Sequence, residues 1–322
     1  MKIIVLDGYT LNPNDLSWSA LAKLGDLTVY DRTPADKIIE RAAQADILIV
    51  NKVVISAQQM EQLPKLRYIG VLATGYNNID VVSAKNRGIV VCNVRNYGTA
   101  TVAQQVFSLL LTLTNHAESY AADARQNWAN APDWTYWHNP LMELSGKTIG
   151  VIGLGNIGSQ VAKIAQAFGM KTISTTQKET PEGKSGQAPQ YVDEKVGLGT
   201  LLLQSDVISL HCPLSENTKE LINIRTLSLM KPTAFLINTA RGGLIHEQDL
   251  ADALNKGVIA GAGLDVLTQE PPLARNPLLT AKNCFITPHQ AWASFEARQR
   301  LMDLAVGNIE AFLAGKPINQ VS

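Results

Sequence analysis

Thr148-Ile-Gly-Val-Ile-Gly-Leu-Gly-Asn-Ile-Gly-Ser159 decides how this chain folds. The run from Ile149 to Ile152 is short and apolar, which suits a parallel strand buried on both faces. Gly153, Gly155 and Gly158 then fall in G-x-G-x-x-G spacing, and Gln160-Val-Ala-Lys-Ile-Ala-Gln-Ala-Phe168 is apolar at helical spacing. In such a turn the first glycine permits the tight bend. The second lets main chain approach a pyrophosphate, and the third lets helix and strand pack closely. The helix N-terminus adds N–H groups and the positive end of the helix dipole. A glycine-rich turn without a ligand has the same spacing. The strand before it and the helix after it favour a dinucleotide site.

Downstream, strands are expected at 172–176, 207–211, 234–238, 262–266 and 284–287. Upstream, apolar runs at 2–6, 27–30, 46–50, 68–73 and 89–93 alternate with helical patterns at 15–24, 34–44, 56–63 and 79–87, with Ser56 placed as an N-cap. Alternating strands and helices predict an α/β fold with two parallel sheets. Ligands in such sheets sit beyond the carboxyl ends of strands, which points to Asn51-Lys52 and to 73–77 in the first series. The apolar segment 99–122 has no internal proline or glycine and is expected to cross from one domain to the other. Trp128, Trp134, Tyr136 and Trp137 then cluster, equally consistent with local core or a subunit contact. The polar stretch 180–190 reads as a surface loop. The amphipathic helix expected at 295–313, stopped by Gly315 and Pro317, has no strand of its own and is expected to dock on the first domain.

A length of 322 residues suits two domains, and 46% hydrophobic residues can fill two cores. A formal net charge of zero lacks the basic footprint of a nucleic-acid binder. Cys92, Cys212 and Cys284 are odd in number and scattered, which suits a reducing compartment and argues against a metal cluster. Met1-Lys-Ile-Ile-Val-Leu-Asp7 meets charge too early for a signal peptide, and no apolar run reaches membrane-spanning length. The expectation is a cytoplasmic protein with neither nucleic-acid nor membrane partners.

Three expected strand ends carry unusual polar residues: Ile237-Asn-Thr-Ala-Arg-Gly-Gly243, Gly263-Leu-Asp-Val-Leu-Thr-Gln-Glu-Pro-Pro272 and Ile286-Thr-Pro-His-Gln-Ala-Trp-Ala293. Together they supply Arg241, Glu270 and His289. These residue types suit reduction of a 2-keto acid. A guanidinium grips the carboxylate and polarises the neighbouring carbonyl. Hydride delivery builds alkoxide charge, which a protonated imidazole neutralises, and a carboxylate beside the ring favours its charged form. Singly, each has a plain structural alternative: a surface pair, a solvated loop acid, a buried histidine. At successive strand ends beside a dinucleotide turn, the joint catalytic reading prevails.

Val151-Ile-Gly-Leu-Gly-Asn-Ile-Gly158, Ser205-Asp-Val-Ile-Ser-Leu-His-Cys-Pro-Leu214, Met230-Lys-Pro-Thr-Ala-Phe-Leu-Ile-Asn-Thr-Ala-Arg-Gly-Gly243, residues 261–272 and Pro288-His289 occur in this order. With them, essentially the whole chain resembles the D-isomer-specific 2-hydroxyacid dehydrogenases. Asp7-Gly-Tyr-Thr-Leu-Asn-Pro13, Asn51-Lys52 and Val71-Leu-Ala-Thr-Gly-Tyr-Asn77 look most like the glycerate dehydrogenase (hydroxypyruvate reductase) branch.

The resemblance implies two Rossmann-like domains flanking a cleft. The substrate domain, flavodoxin-like and discontinuous, would comprise 1–98 and 289–322, and the dinucleotide-binding domain 99–288. It also implies a homodimer joined through the segment holding the tryptophans. Arg241 would bind the substrate carboxylate and carbonyl, His289 would be the acid/base, and Glu270 its partner. Lys52, Ala73, Thr74 and Gly75 would hold substrate from the first domain. The cofactor would meet Gly153, Gly155, Asn156, Ile157 and Gly158 at the pyrophosphate, and Thr176, His211, Cys212, Pro213 and Thr218 at the adenosine side. Thr101, Thr239, Ala240 and Asp265 would serve the nicotinamide end, and no metal is implied. His116 and His138 match no motif and are taken as structural or exposed. Two departures from the family pattern are Gln290 after the histidine and His246 where an acid is common. The activity implied is reduction of hydroxypyruvate, with glyoxylate. The alternatives are another D-2-hydroxy acid, or a dinucleotide-sensing regulatory protein on the same fold.

The family's acid about 20 residues past the glycine turn, which receives the ribose hydroxyls and repels a 2′-phosphate, is missing. Thr176 stands in its place, followed by Gln177, Lys178 and Glu179. No arginine supplies the fork of a strict NADP site. The expectation is use of both NAD and NADP, with Glu179 or main chain as the alternative selector.

Overall fold

A computed structural model describes residues 1–175 and 190–322. They divide into two compact units, Met1–Gly98 with Trp292–Ser322, and Thr99–Ala291. Thr176 to Glu179 and most of the expected loop at 180–190 lie outside the described residues.

The first unit runs β1 (Lys2–Val5), α1 (Ser19–Ala22), β2 (Asp26–Val29), α2 (Ile38–Ala42), β3 (Ile47–Val50), α3 (Ala57–Glu61), β4 (Tyr68–Val71), α4 (Val81–Asn86) and β5 (Val90–Cys92). The strands form one parallel sheet in the order β2-β1-β3-β4-β5. Both faces are covered, so the central strands are apolar throughout. Leu48 and Val50 enter one core cluster, Ile47 and Ile49 the other.

The helices of this unit are shorter than their patterns suggest. The helix expected at 15–24 is reduced to α1. Asn12 wraps the preceding main chain instead, its amide donating to Leu16 O and accepting Leu16 N–H. The pattern at 34–44 opens as a 3-10 turn, Ala35–Lys37, before α2. Ser56 caps α3 in a reciprocal capping box with Gln59.

The second unit opens with α5 (Thr99–Asn115) and α6 (Ala117–Asn127). It continues with β6 (Thr148–Ile152), α7 (Asn156–Ala167), β7 (Lys171–Thr175), β8 (Glu194–Lys195), α8 (Leu198–Gln204), β9 (Val207–Leu210) and α9 (Ile224–Leu227). β10 (Phe235–Asn238), α10 (Glu247–Lys256), β11 (Gly261–Leu264) and β12 (Cys284–Ile286) complete it. The order is β12-β11-β10-β9-β6-β7-β8, all parallel. Strand order reverses between β6 and β9, the topological switch at which such sheets bind ligands.

The apolar segment 99–122 is helical but breaks at His116, which adopts φ +51° and divides it into α5 and α6. α5 lies on the sheet of its own unit: Val106, Leu109, Leu110 and Leu113 share a core cluster with Ile149, Val151, Val207 and Ile237. Gly263 on β11 makes this possible, because a Cβ there would lie 2.8 Å from Leu109 Cβ. The local-core alternative for the tryptophans is overturned: Trp128, Trp134 and Trp137 are 56%, 86% and 68% exposed. Asp123 on α6 ties down their segment by accepting from the Tyr136 hydroxyl at 2.7 Å.

After Trp292 the chain returns to the first unit as α11 (Phe295–Leu313). Ser294 caps it by accepting Ala297 N–H. Its inward face, Ala297, Leu301, Met302, Ala305 and Ile309, packs with Ile3, Val5, Ile49 and Tyr68 of the sheet. A fully buried leucine such as Leu301 contributes about 1.5–3 kcal/mol. Arg298 locks the first turn in place, donating to both Asp15 carboxylate oxygens at 2.7 and 2.5 Å and to Leu11 O at 2.9 Å. Among the described residues, no helix is long and apolar enough to cross a membrane.

Candidate active site

β6 delivers the chain at Ile152 into the glycine turn. Gly153 has φ +101°, and a Cβ on it would lie 2.6 Å from Cys212 N. A Cβ on Gly158 would fall 2.0 Å from Gly153 O, so the first turn of α7 closes directly over the bend. A Cβ on Gly155 would meet nothing within 4 Å, so the middle of the turn is open. Gly155 is also the N-cap of α7 and supplies no side-chain cap. The first turn, with Asn156 and Ile157, is thus shaped to receive an anion on main-chain N–H groups.

A second observation fits a dinucleotide. Thr239, just past β10, is buried and its hydroxyl has no partner. Such an orphan costs about 1–3 kcal/mol unless a ligand or water satisfies it. Beside it, Ala240 N–H donates to Asn238 Oδ1 at 3.0 Å. Thr101 is half-buried in the first turn of α5.

On the other side of the switch, His211 and Cys212 follow β9. His211 Nε2 pairs with Ser209 Oγ at 2.8 Å. The residue keeps some surface, yet burial of its ring pushes its pKa down to about 4, so it is neutral at pH 7. Burial also raises the Cys212 thiol, which stays protonated. Pro213 is exposed, and its carbonyl accepts from Thr218 Oγ1 at 2.7 Å, which closes the loop behind it. Thr176 lies outside the described residues, so past β7, the neighbour of β6 opposite β9, the chain is followed only to Thr175.

The three polar motifs come from β10, β11 and β12, which are neighbours in the sheet. Past β10, the Asn238 amide bridges the bend, accepting Ala240 N–H and donating to Arg241 O at 2.9 Å. Arg241 is partly buried, with Nη1 donating to Ala240 O at 2.7 Å. Past β12, His289 Nδ1 meets Glu270 Oε2 at 2.5 Å, the two side chains being 29% and 35% exposed. Glu270 Oε1 accepts Leu267 N–H at 3.0 Å, so both oxygens of this acid are engaged.

His289 adopts φ +52°, a left-handed conformation that is unfavourable for a residue with a side chain. Asp265, at the end of β11, holds it there. Its Oδ1 accepts from Thr287 Oγ1 at 2.6 Å and from Gln290 N–H at 3.0 Å, and its Oδ2 accepts Ala291 N–H at 2.9 Å. The Asp265 carbonyl accepts His289 N–H. All three carboxylate contacts are donors, so the acid is in its charged form, although burial pushes its pKa up. The Thr287, Ala291 and Gln290 hydrogen bonds and the nearby His289 act against that rise. Asp265 was singled out in sequence as a nicotinamide contact. Its grip on the His289 bend, and Thr287 as a member of it, carried no sequence signal.

In the first unit, Asp7 at the end of β1 accepts the main-chain N–H groups of Asn51, Lys52 and Val53 at 2.8, 2.6 and 3.0 Å. Asn78 holds the same turn from behind, donating to Val53 O at 2.9 Å. Lys52 is exposed on this turn, while Asn51 is buried with both amide atoms unpartnered. Past β4, Ala73 packs on the core, Thr74 is exposed with its hydroxyl donating to Val94 O, and Gly75 is half-buried. Asn93 Nδ2 donates to Thr74 O at 2.7 Å and fixes that bend. Asp7 was not singled out in sequence as a site residue.

The family model described as D-isomer specific 2-hydroxyacid dehydrogenase, NAD binding domain, matches residues 107–291. The chain belongs to the D-isomer specific 2-hydroxyacid dehydrogenases. A hydroxypyruvate reductase of Blautia hydrogenotrophica is 48% identical over 326 aligned positions, covering 100% of both chains. A glycerate dehydrogenase of Methylorubrum extorquens is 44% identical over 289 positions, covering 89% of this chain and 88% of that one. Among solved structures, an acyclic imino acid reductase in complex with NADPH and D-Arg superposes with TM-score 0.84 at 36% identity, covering 100% of both chains. This dehydrogenase is therefore an oxidoreductase acting on a CH–OH group with a nicotinamide dinucleotide. His246 stands where the resemblance led to the expectation of an acid. It fills the N-cap of α10, its Nδ1 accepting Asp249 N–H at 3.3 Å as an acid would. Gln290 contributes through its main chain to the Asp265 anchor, and its side chain is exposed.

Proposed function

We propose that the enzyme reduces hydroxypyruvate to D-glycerate, and glyoxylate to glycolate, using Arg241, His289 and Glu270. The observation that carries this reading is the Glu270–His289 pair at 2.5 Å, one strand from the Arg241 bend and in the same unit as the dinucleotide turn. The names of the two relatives above support the choice of substrate.

When bound, the reduced nicotinamide supplies the hydride. Arg241 binds the keto-acid carboxylate and polarises the adjacent carbonyl. Glu270 occupies Nδ1 of His289, which leaves Nε2 as the nitrogen that carries the proton to the new alkoxide. Glu270 holds the ring's orientation through its bond to Nδ1. In the oxidative direction His289 starts neutral and takes the proton from the hydroxyl. Lys52, Ala73, Thr74 and Gly75 are proposed substrate contacts of the first unit. Thr101, Thr239, Ala240 and Asp265 are proposed contacts at the nicotinamide end, and His211, Cys212, Pro213 and Thr218 at the adenosine side.

His289→Ala should lower kcat for reduction by about 10²-fold or more while NADH still binds. Arg241→Ala should damage KM and kcat together, since one cation serves the ground and transition states. A near-normal kcat in His289→Ala would remove the histidine from the mechanism. Both NADH and NADPH should be accepted, because the sequence at Thr176 offers no acid to repel a 2′-phosphate. Thr176→Asp should then shift the kcat/KM ratio toward NADH. The protein is proposed to be cytoplasmic and a homodimer with the exposed Trp134–Trp137 segment in the contact, a state that sedimentation reads directly.

A further inference from the structure

Glu247, in the first turn of α10, takes no part in the chemistry above, yet it is bonded to the loop that carries Glu270. Its Oε1 accepts Thr268 N–H at 2.7 Å and its Oε2 accepts Asn276 Nδ2 at 2.8 Å. One carboxylate therefore spans the loop from residue 268 to residue 276, on either side of Glu270. The loop is closed from within by Leu267 N–H donating to Glu270 Oε1. It is also pressed from the β10 side. A Cβ on Gly242 would lie 1.9 Å from Leu267 C and 2.3 Å from Thr268 N, so the Arg241-Gly242 main chain abuts the start of the loop. Hydrogen bonds donated to a carboxylate are the stronger class, and an acid in a helix's first turn is further favoured by the dipole.

We infer that Glu247 is a positioning residue for this reaction: it fixes the Thr268–Asn276 loop so that Glu270 reaches His289. The inference rests on the role proposed above for Glu270. Without the clamp, the loop keeps its anchor at Gly242 but loses both bonds to α10, and the Glu270 carboxylate is free to leave the imidazole. Arg241 is held separately by Asn238, so substrate affinity should change little. Glu247 thus acts on kcat and spares cofactor binding.

The test is a double-mutant cycle of Glu247→Ala and Glu270→Gln, read in kcat for hydroxypyruvate reduction, with NADH affinity followed by fluorescence. Displacement of a catalytic group by about 1 Å can cost on the order of 10²-fold. Glu247→Ala should accordingly lower kcat by roughly tenfold to a hundredfold, with NADH affinity unchanged. In the Glu270→Gln background the same change should cost less than about threefold, because the loop has no carboxylate left to position. Glu247→Gln, which keeps one acceptor oxygen, should recover part of the loss and provides a readout if the alanine variant folds poorly. Equal losses in both backgrounds, or no loss in either, would overturn the inference while leaving an impaired Glu270→Gln enzyme in accord with the proposed mechanism. A Glu270→Gln enzyme with wild-type turnover would overturn that mechanism and the inference with it.

Discussion

Replacing Asp265 by asparagine should unhook the bend that presents His289. The carboxylate accepts Thr287 Oγ1 and Gln290 N–H on one oxygen and Ala291 N–H on the other. An amide keeps the two bonds at Oδ1 only by turning its NH2 toward Ala291 N–H, donor facing donor. One buried N–H is then left unpaired, at about 1–3 kcal/mol. Losing a charge whose burial is unfavourable offsets part of that, so global stability should fall by only about 1–2 kcal/mol. The local effect is larger in consequence. The left-handed His289 stores on the order of 1 kcal/mol of strain, comparable to the anchor that remains. The bend then loses its single preferred state, and kcat should fall by about tenfold, compounded by the missing negative charge facing the imidazolium. Urea unfolding gives the first quantity, single-turnover reduction at saturating cofactor the second, and NADH titration separates any nicotinamide contact. Thr287→Val, which removes one donor and keeps the charge, should show a smaller drop in kcat. Unchanged kcat in Asp265→Asn, with stability also unchanged, would refute the claim that this carboxylate holds the histidine.

Gly158→Ala should abolish NADH binding at accessible concentrations, because its Cβ would overlap Gly153 O at 2.0 Å and force α7 off the turn; binding within threefold of wild type would show that the bend yields. His211 gives a pH signature without cofactor. Its folded pKa, about 4, lies below the ordinary 6.5, so below pH 6.5 the unfolded chain binds a proton that the folded chain refuses. Stability present above that value should be lost as pH falls from 6.5 toward 4, by up to about 3 kcal/mol. His211→Gln should flatten this slope in urea titrations, and an identical slope in the variant would sink the assignment.

The decisive strand–turn–helix was legible because its signals are local. β6 and α11 occupy the spans that their apolar patterns mark, and Gly153 and Gly158 are required by atoms within a few residues or just past the adjacent strand. Arg241, Glu270 and His289 were legible because they stand just past strand ends. What stayed hidden depends on contacts distant in sequence or on conformations that no residue type announces. Nothing near His116 marks the break between α5 and α6, since a left-handed histidine leaves no proline or glycine as a trace. The helix expected at 15–24 shrank because Asn12 and Arg298 supply partners that a periodicity cannot foresee. The clamps at Asp7, Asp265 and Glu247 escaped notice for the same reason. Each is a carboxylate bonded to at least one main-chain N–H 20 or more residues away, and main-chain donors have no letter in the sequence.

Oxidation of NADH by the purified enzyme with a panel of 2-keto acids reads its substrate choice in one assay. Hydroxypyruvate should give the highest kcat/KM, with glyoxylate next and pyruvate and branched 2-keto acids below both. Turnover of none of them, or a pyruvate kcat/KM above that of hydroxypyruvate, would rule out hydroxypyruvate reduction as the enzyme's activity.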